Sequence, residues 1–143
     1  MKLRFVPDTS VLVAAVRSNT GASSVLLQSV LEKKVTMLAT VPLVLEYEAV
    51  LLRPEHLAAA GLEETEMTVL LNTLAGISEA VRLAFLWRPQ LRDSNDDMVL
   101  EAAVNGRADA IVTFNIRDFA AVTPHFGITV LTPKEALKKM REL

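Results

Sequence analysis

Acidic residues stand at four points of this sequence, in or beside segments where apolar runs meet helical ones, and acids placed there can hold a divalent cation or move a proton. The first is Asp8, in RFVPDTSVLVAAV. Leu3, Phe5 and Val6 read as a short buried strand, and Val11, Leu12, Ala15 and Val16 recur at helical spacing, so Asp8 marks a strand-to-helix junction. Taken alone, an aspartate at such a junction is expected to be a helix N-cap. Glu46 and Glu48 follow in VPLVLEYEAVLL, then Asp93, Asp96 and Asp97 in RDSNDDMVLEAAVNG, and Asp118 in TFNIRDF.

Helix geometry separates the middle acids. With Ser94 as N-cap, Asp97 takes the third helical position, forms a capping box and has Glu101 four residues on, along a polar side. Asp97 is expected to be structural. Asp96 shares a face with Val99, Leu100 and Ala103, the stripe that packs on a sheet. A carboxylate there is costly without compensation, which makes Asp96 the stronger site candidate. Asp93 reads equally as a turn residue paired with Arg92 or as a support for the site. Glu46 and Glu48 lie on opposite borders of one apolar face, and the helix alone does not choose between them.

The elements that carry these acids follow from the pattern of apolar runs. Residues 35–40 form a second expected strand, residues 108–114 a third that holds Thr113, and residues 128–131 a fourth. Pro42 suits a first helical turn, and Thr132, Pro133 and Glu135 make a cap, a first-turn proline and a capping box for a last helix. EETEMTVLLNTLAG and SEAVRLAFLW read as a helical hairpin broken near Gly76. Strands separated by helices predict an α/β fold, a parallel sheet covered on both faces, with residues 1–143 as one domain. Ligands of such sheets bind beyond the carboxyl ends of the strands, where Asp8, Glu46, Asp96 and Asp118 all fall. Carboxylates gathered there repel one another, and a divalent cation removes that penalty.

Composition limits the alternatives. The chain has 143 residues, 51% of them hydrophobic, and a formal net charge of −2. No apolar run is long enough to span a bilayer, and Pro7 and Asp8 interrupt the only early one, so a cytoplasmic protein is expected. There is no cysteine and only His56 and His125 offer imidazole, which leaves zinc poorly served and favours oxygen-loving magnesium or manganese. The net charge supplies no general attraction to nucleic acid, so any binding must be local or through cations.

VPDTSVLVAAV, then VLEYEAVLLRP, then RDSNDDMVLEAAVNGRADAIVTFNIRDF, in this order, resembles the PIN-domain family, of the kind found as the VapC-like toxin of toxin–antitoxin pairs. The resemblance implies a three-layer αβα sandwich with a mainly parallel sheet and a ribonuclease site using Mg²⁺ or Mn²⁺. It implies Asp8, Glu46, Asp96 and Asp118 as the acidic positions, and it selects Glu46 over Glu48. Many members carry an acid where this chain has Asn115. The expected metal ligands are therefore Asp8 and Asp96, with Asp118 and Asn115 as outer or second-metal ligands and Glu46 as a ligand through water or the group that orients the nucleophile. A homodimer and a cognate antitoxin protein are further implications; the apolar residues Met67, Leu70, Leu71 and Leu74 offer surface for either, although core packing is the simpler expectation for most of them.

Around this set, Thr9, Ser10 and Thr113 are candidates to hold a ligand carboxylate or the phosphate. Arg88 and Arg92 are candidates to bind RNA phosphates and Trp87 to stack on a base, against the plainer expectation that Trp87 packs in the core and the arginines neutralise acids. Two other classes are open. One is a PIN scaffold that has lost activity and serves as an interaction protein, which Asn115 would favour. The other is a phosphohydrolase with Asp8 as nucleophile, which expects an acid where Ser10 stands.

Overall fold

The computed structural model describes residues 2–84, 94–121 and 123–143. In chain order the elements are β1 (Arg4–Pro7), α1 (Thr9–Arg17), α2 (Ala22–Leu31), β2 (Thr36–Ala39), α3 (Val41–Leu51), α4 (Pro54–Ala60) and α5 (Glu64–Ile77). They continue with β3 (Glu79–Ala80), α6 (Ser94–Gly106), β4 (Ala110–Val112), α7 (Ile116–Ala120), a 3-10 turn (Thr123–Phe126), β5 (Thr129–Leu131) and α8 (Pro133–Glu142). The strands form one sheet in the order β3-β2-β1-β4-β5, with every pairing parallel. Helices flank it, giving the expected α/β three-layer arrangement.

A parallel sheet covered on both faces needs strands that are apolar on both sides. Phe5, Val6, Ala110, Ile111 and Val112 are all buried, which meets that need. The strand order reverses at β1, since β2 and β3 extend to one side and β4 and β5 to the other. That reversal opens a crevice between the carboxyl ends of β1 and β4. The register pairs Val6 with Ile111 and Pro7 with Val112, and the Asp8 amide donates to the Val112 carbonyl at 2.9 Å. Asp8 and Thr113 are thereby the first residues beyond the paired strands on either side of the crevice.

Helix starts follow local chemistry. Thr40 caps α3, its hydroxyl accepting from the Leu43 amide at 3.3 Å, and Pro42 lies in the first turn. Thr132 and Glu135 form the expected capping box on α8. Those two backbone and hydroxyl contacts hold the Glu135 carboxyl below its ordinary range. An unforeseen capping box, Glu63 with Glu66, starts α5.

The expected helical hairpin is corrected. α5 runs unbroken through Gly76, and Glu79 and Ala80 then join the sheet edge as β3, pairing with Leu38 and Ala39. The Arg4 guanidinium binds Glu79 and also the Gly106 and Arg107 carbonyls, so a polar anchor at the sheet's other end fixes this short strand. Residues 81–84 are not helical, and the rest of the expected second helix lies outside the described residues. At Gly106 a Cβ would stand 2.6 Å from Leu38 Cδ2 and 2.8 Å from Val81 Cγ2, so only glycine lets α6 end this close to the edge.

The apolar residues offered as association surface are mostly core. Met67, Leu71 and Leu74 are buried and Leu70 is half-buried, because α5 packs on α2 and α3.

Candidate active site

The backbone of Asp8 occupies the N-cap position of α1, with φ −66° and ψ 150°, yet its carboxylate makes no capping hydrogen bond. It is held from elsewhere. Thr113 Oγ1 donates to Asp8 Oδ2 at 2.8 Å and Ser10 Oγ donates to the same oxygen at 3.2 Å. The Asn115 amide in turn donates to Thr113 Oγ1 at 3.0 Å, which fixes the direction of the threonine hydroxyl. Asp8 is only 6% exposed, and this relay orients it while Oδ1 receives no hydrogen bond among the described residues.

An open cavity of about 380 Å³ lies at this point, lined by Asp8, Thr9, Ser10, Glu46, Arg53, Asn95, Asp96, Asn115 and Asp118 among others. Glu46 lines it and Glu48 does not. Asp96 is buried and stands in the first turn of α6, where the positive end of the helix dipole favours a carboxylate. Asp118 and Asn115, at the start of α7, are exposed rim groups.

The two faces assigned to α6 are revised. Asp97 and Glu101 are 3% and 1% exposed, so the side expected to be polar and solvated is buried. α6 packs on α3 and α7 as well as on the sheet, and a helix covered from several directions has no free polar face. The expected cap at Ser94 rests on a side chain outside the described residues. Asp97 still does not line the cavity. Trp87, Arg88, Arg92 and Asp93 lie outside the described residues.

Three nearby residues were not singled out by sequence. Tyr47 is fully buried, and its hydroxyl donates to the Pro7 carbonyl, tying α3 to the end of β1. Burial pushes the Tyr47 phenol well above its usual range, and the negative charge of Asp8 adds to that shift. Phe114 is 52% exposed, next in sequence to Asn115. Arg53 is the third. It lies seven residues after Glu46 and three after Val50, so the face of α3 that lines the cavity carries on past the helix end to Arg53.

The donor set consists of carboxylates, two amides and hydroxyls, all hard oxygen ligands suited to magnesium or manganese. The Thr9 hydroxyl is buried without a hydrogen-bond partner among the described residues, a further oxygen in the cavity wall. Among the described residues, however, no three His, Asp or Glu side chains stand close enough to hold one ion by themselves. The expected convergence is thus looser than a closed cage. Magnesium tolerates this, since it keeps several waters and takes one or two carboxylates together with substrate phosphate. The cavity has room for those waters, each of which occupies about 30 Å³ of liquid.

A family model described as PIN domain matches residues 4–117. No curated protein and no solved structure matches the chain.

Proposed function

The chain belongs to the PIN-domain family, and from that premise we propose that it is a magnesium- or manganese-dependent endoribonuclease, the toxin half of a toxin–antitoxin pair. The observation that carries this reading is the Asp8 carboxylate, which declines its capping role and is steered by Thr113 and Ser10 at the wall shared with Glu46, Asp96 and Asp118.

When bound, the divalent cation lowers the pKa of a water and offsets charge on the phosphate and leaving oxygen. Asp8 and Asp96 would hold it from the floor of the cavity, and Asp118 and Asn115 would add oxygens from the rim. Glu46 would accept a hydrogen bond from the attacking water and orient it toward the phosphate. Thr113 keeps Asp8 from rotating toward the α1 amides. Thr113→Val removes that donor at nearly constant shape, and its expected effect is a loss of cleavage of about 10–100-fold, the usual cost of removing a ligand's support. Unchanged kinetics in this variant would mean that Ser10 alone orients Asp8.

Attack by water leaves the ribose 2′-hydroxyl unused. The products of single-stranded RNA cleavage are therefore expected to carry linear phosphate ends, and 2′,3′-cyclic phosphates in their mass spectrum would contradict the mechanism. Ser10 occupies the position where an aspartate-nucleophile phosphohydrolase would need its second acid, and its hydroxyl instead donates to Asp8.

Asn115 limits the charge available for a second ion. Calorimetric titration of manganese is expected to show one clear binding event, and Asn115→Asp is expected to strengthen or add a second. Two equally tight ions in the natural protein would contradict this; no binding at all would favour the inactive scaffold.

The toxin role implies a cytoplasmic protein, and no helix among the described residues is long and apolar enough to cross a membrane. Val41 and Leu45, one turn apart on α3, and Val69 on α5 are exposed, and they are the apolar residues we assign to the homodimer or to the antitoxin.

A further inference from the structure

The cavity contains four acids and would repel an RNA phosphate, yet Arg53 also lines it. Its guanidinium forms no ion pair or hydrogen bond with those acids; the ion pairs among the described residues are Arg4 with Glu79 and Lys34 with Glu32. An arginine that lies within an acidic cavity and neutralises none of its carboxylates keeps all five donors for a ligand.

Its backbone is fixed. Pro54 follows and excludes the helical region at Arg53, which sits at φ −63° and ψ 139° as the N-cap of α4. The Arg53 carbonyl accepts from the His56 amide at 3.0 Å and the Leu57 amide at 3.1 Å. The side chain thus starts from a rigid root. Asp8 and Asp96 are each 6% exposed, whereas Arg53 is an exposed residue, so the acids form the floor and the guanidinium the rim.

We propose that Arg53 binds the RNA phosphate next to the scissile one, holding the strand across the rim while the scissile phosphate reaches Asp8 and Asp96. This rests on the ribonuclease reading. A planar guanidinium takes two phosphate oxygens at once, which a lysine ammonium does not, so Arg53 fixes the strand's orientation as well as attracting it.

The test uses a labelled single-stranded RNA of about a dozen nucleotides, with anisotropy followed across salt concentrations in calcium and cleavage kinetics in manganese. Arg53→Ala is expected to weaken binding about tenfold, the size of one charge-assisted contact. Its log-affinity against log-salt slope should be shallower by about 0.7, one phosphate contact on a single strand. KM should rise by a similar factor with kcat little changed, because the contact is made equally before and during the reaction. Arg53→Lys should recover part of the affinity and the full salt slope. Arg17→Ala, at the end of α1, should match the natural protein. Binding and slope unchanged in Arg53→Ala, or a fall confined to kcat, would overturn the assignment. If the natural protein binds the strand without cutting it, the nuclease reading fails and the binding comparison still decides Arg53. If it does not bind the strand, both fail.

Discussion

Asp8→Asn and Asp96→Asn are each expected to lower metal-dependent RNA cleavage by at least about a hundredfold, the scale of removing a charge aimed at the reacting centre. The fold should survive both. An asparagine at position 8 can still accept from Thr113 Oγ1, and α1 does not use the Asp8 carboxylate as its cap. Removing one negative charge from the cavity also lessens repulsion, so thermal unfolding in chelator should be unchanged or shifted upward. Unfolding of either variant would show that the carboxylate is structural. Asp97→Asn should keep most activity, because Asp97 is buried outside the cavity lining. If it is as inactive as Asp96→Asn, the division between the two neighbours is wrong.

Tyr47→Phe is expected to cost about 1–3 kcal/mol of stability, the penalty of leaving a buried acceptor, here the Pro7 carbonyl, without its donor. Melting should fall by several degrees. The phenol also has a pH signature. Its proton is bound more tightly in the folded protein, since both burial and Asp8 raise its pKa. The resulting stability is fully present below the ordinary value of 10.0 and is lost as pH climbs above it. Alkaline destabilisation should therefore begin near that value and be reduced in Tyr47→Phe. As the chain has one tyrosine, its ultraviolet titration reads the ionisation directly. A phenol that titrates in the folded protein at its ordinary pKa would contradict the buried contact.

The strand ends and the first-turn acids were readable because they depend on local signals. An apolar run that stops at Asp8 marks the carboxyl end of β1, and Asp96 above Val99, Leu100 and Ala103 marks the sheet-facing stripe of α6. Tertiary contacts decided the rest. Glu46 and Glu48 are symmetric about the apolar face of α3, and only the packing of α3 on α1, α5 and α6 sends one of them to the cavity. Asp97 and Glu101 follow a polar period, yet both are buried in a helix that packs on α3, α7 and the sheet. β3 has two exposed residues and no apolar signal; the Arg4 clamp and the β2 edge make it a strand. Arg53 keeps the spacing of Glu46 and Val50, but it lies beyond the end of α3, where Pro54 hides that continuation. The role of Tyr47 was hidden because a tyrosine in an apolar stripe gives no sign of where its hydroxyl lands.

The most direct test of the central claim is cleavage of single-stranded RNA by the purified protein through one cycle of chelation and metal return. The cavity acids are expected to cut only with a divalent ion beside them. Cleavage should therefore proceed in manganese or magnesium, stop on addition of excess chelator, and resume when manganese is restored. Cleavage that continues in chelator, or none with either metal, would contradict the account.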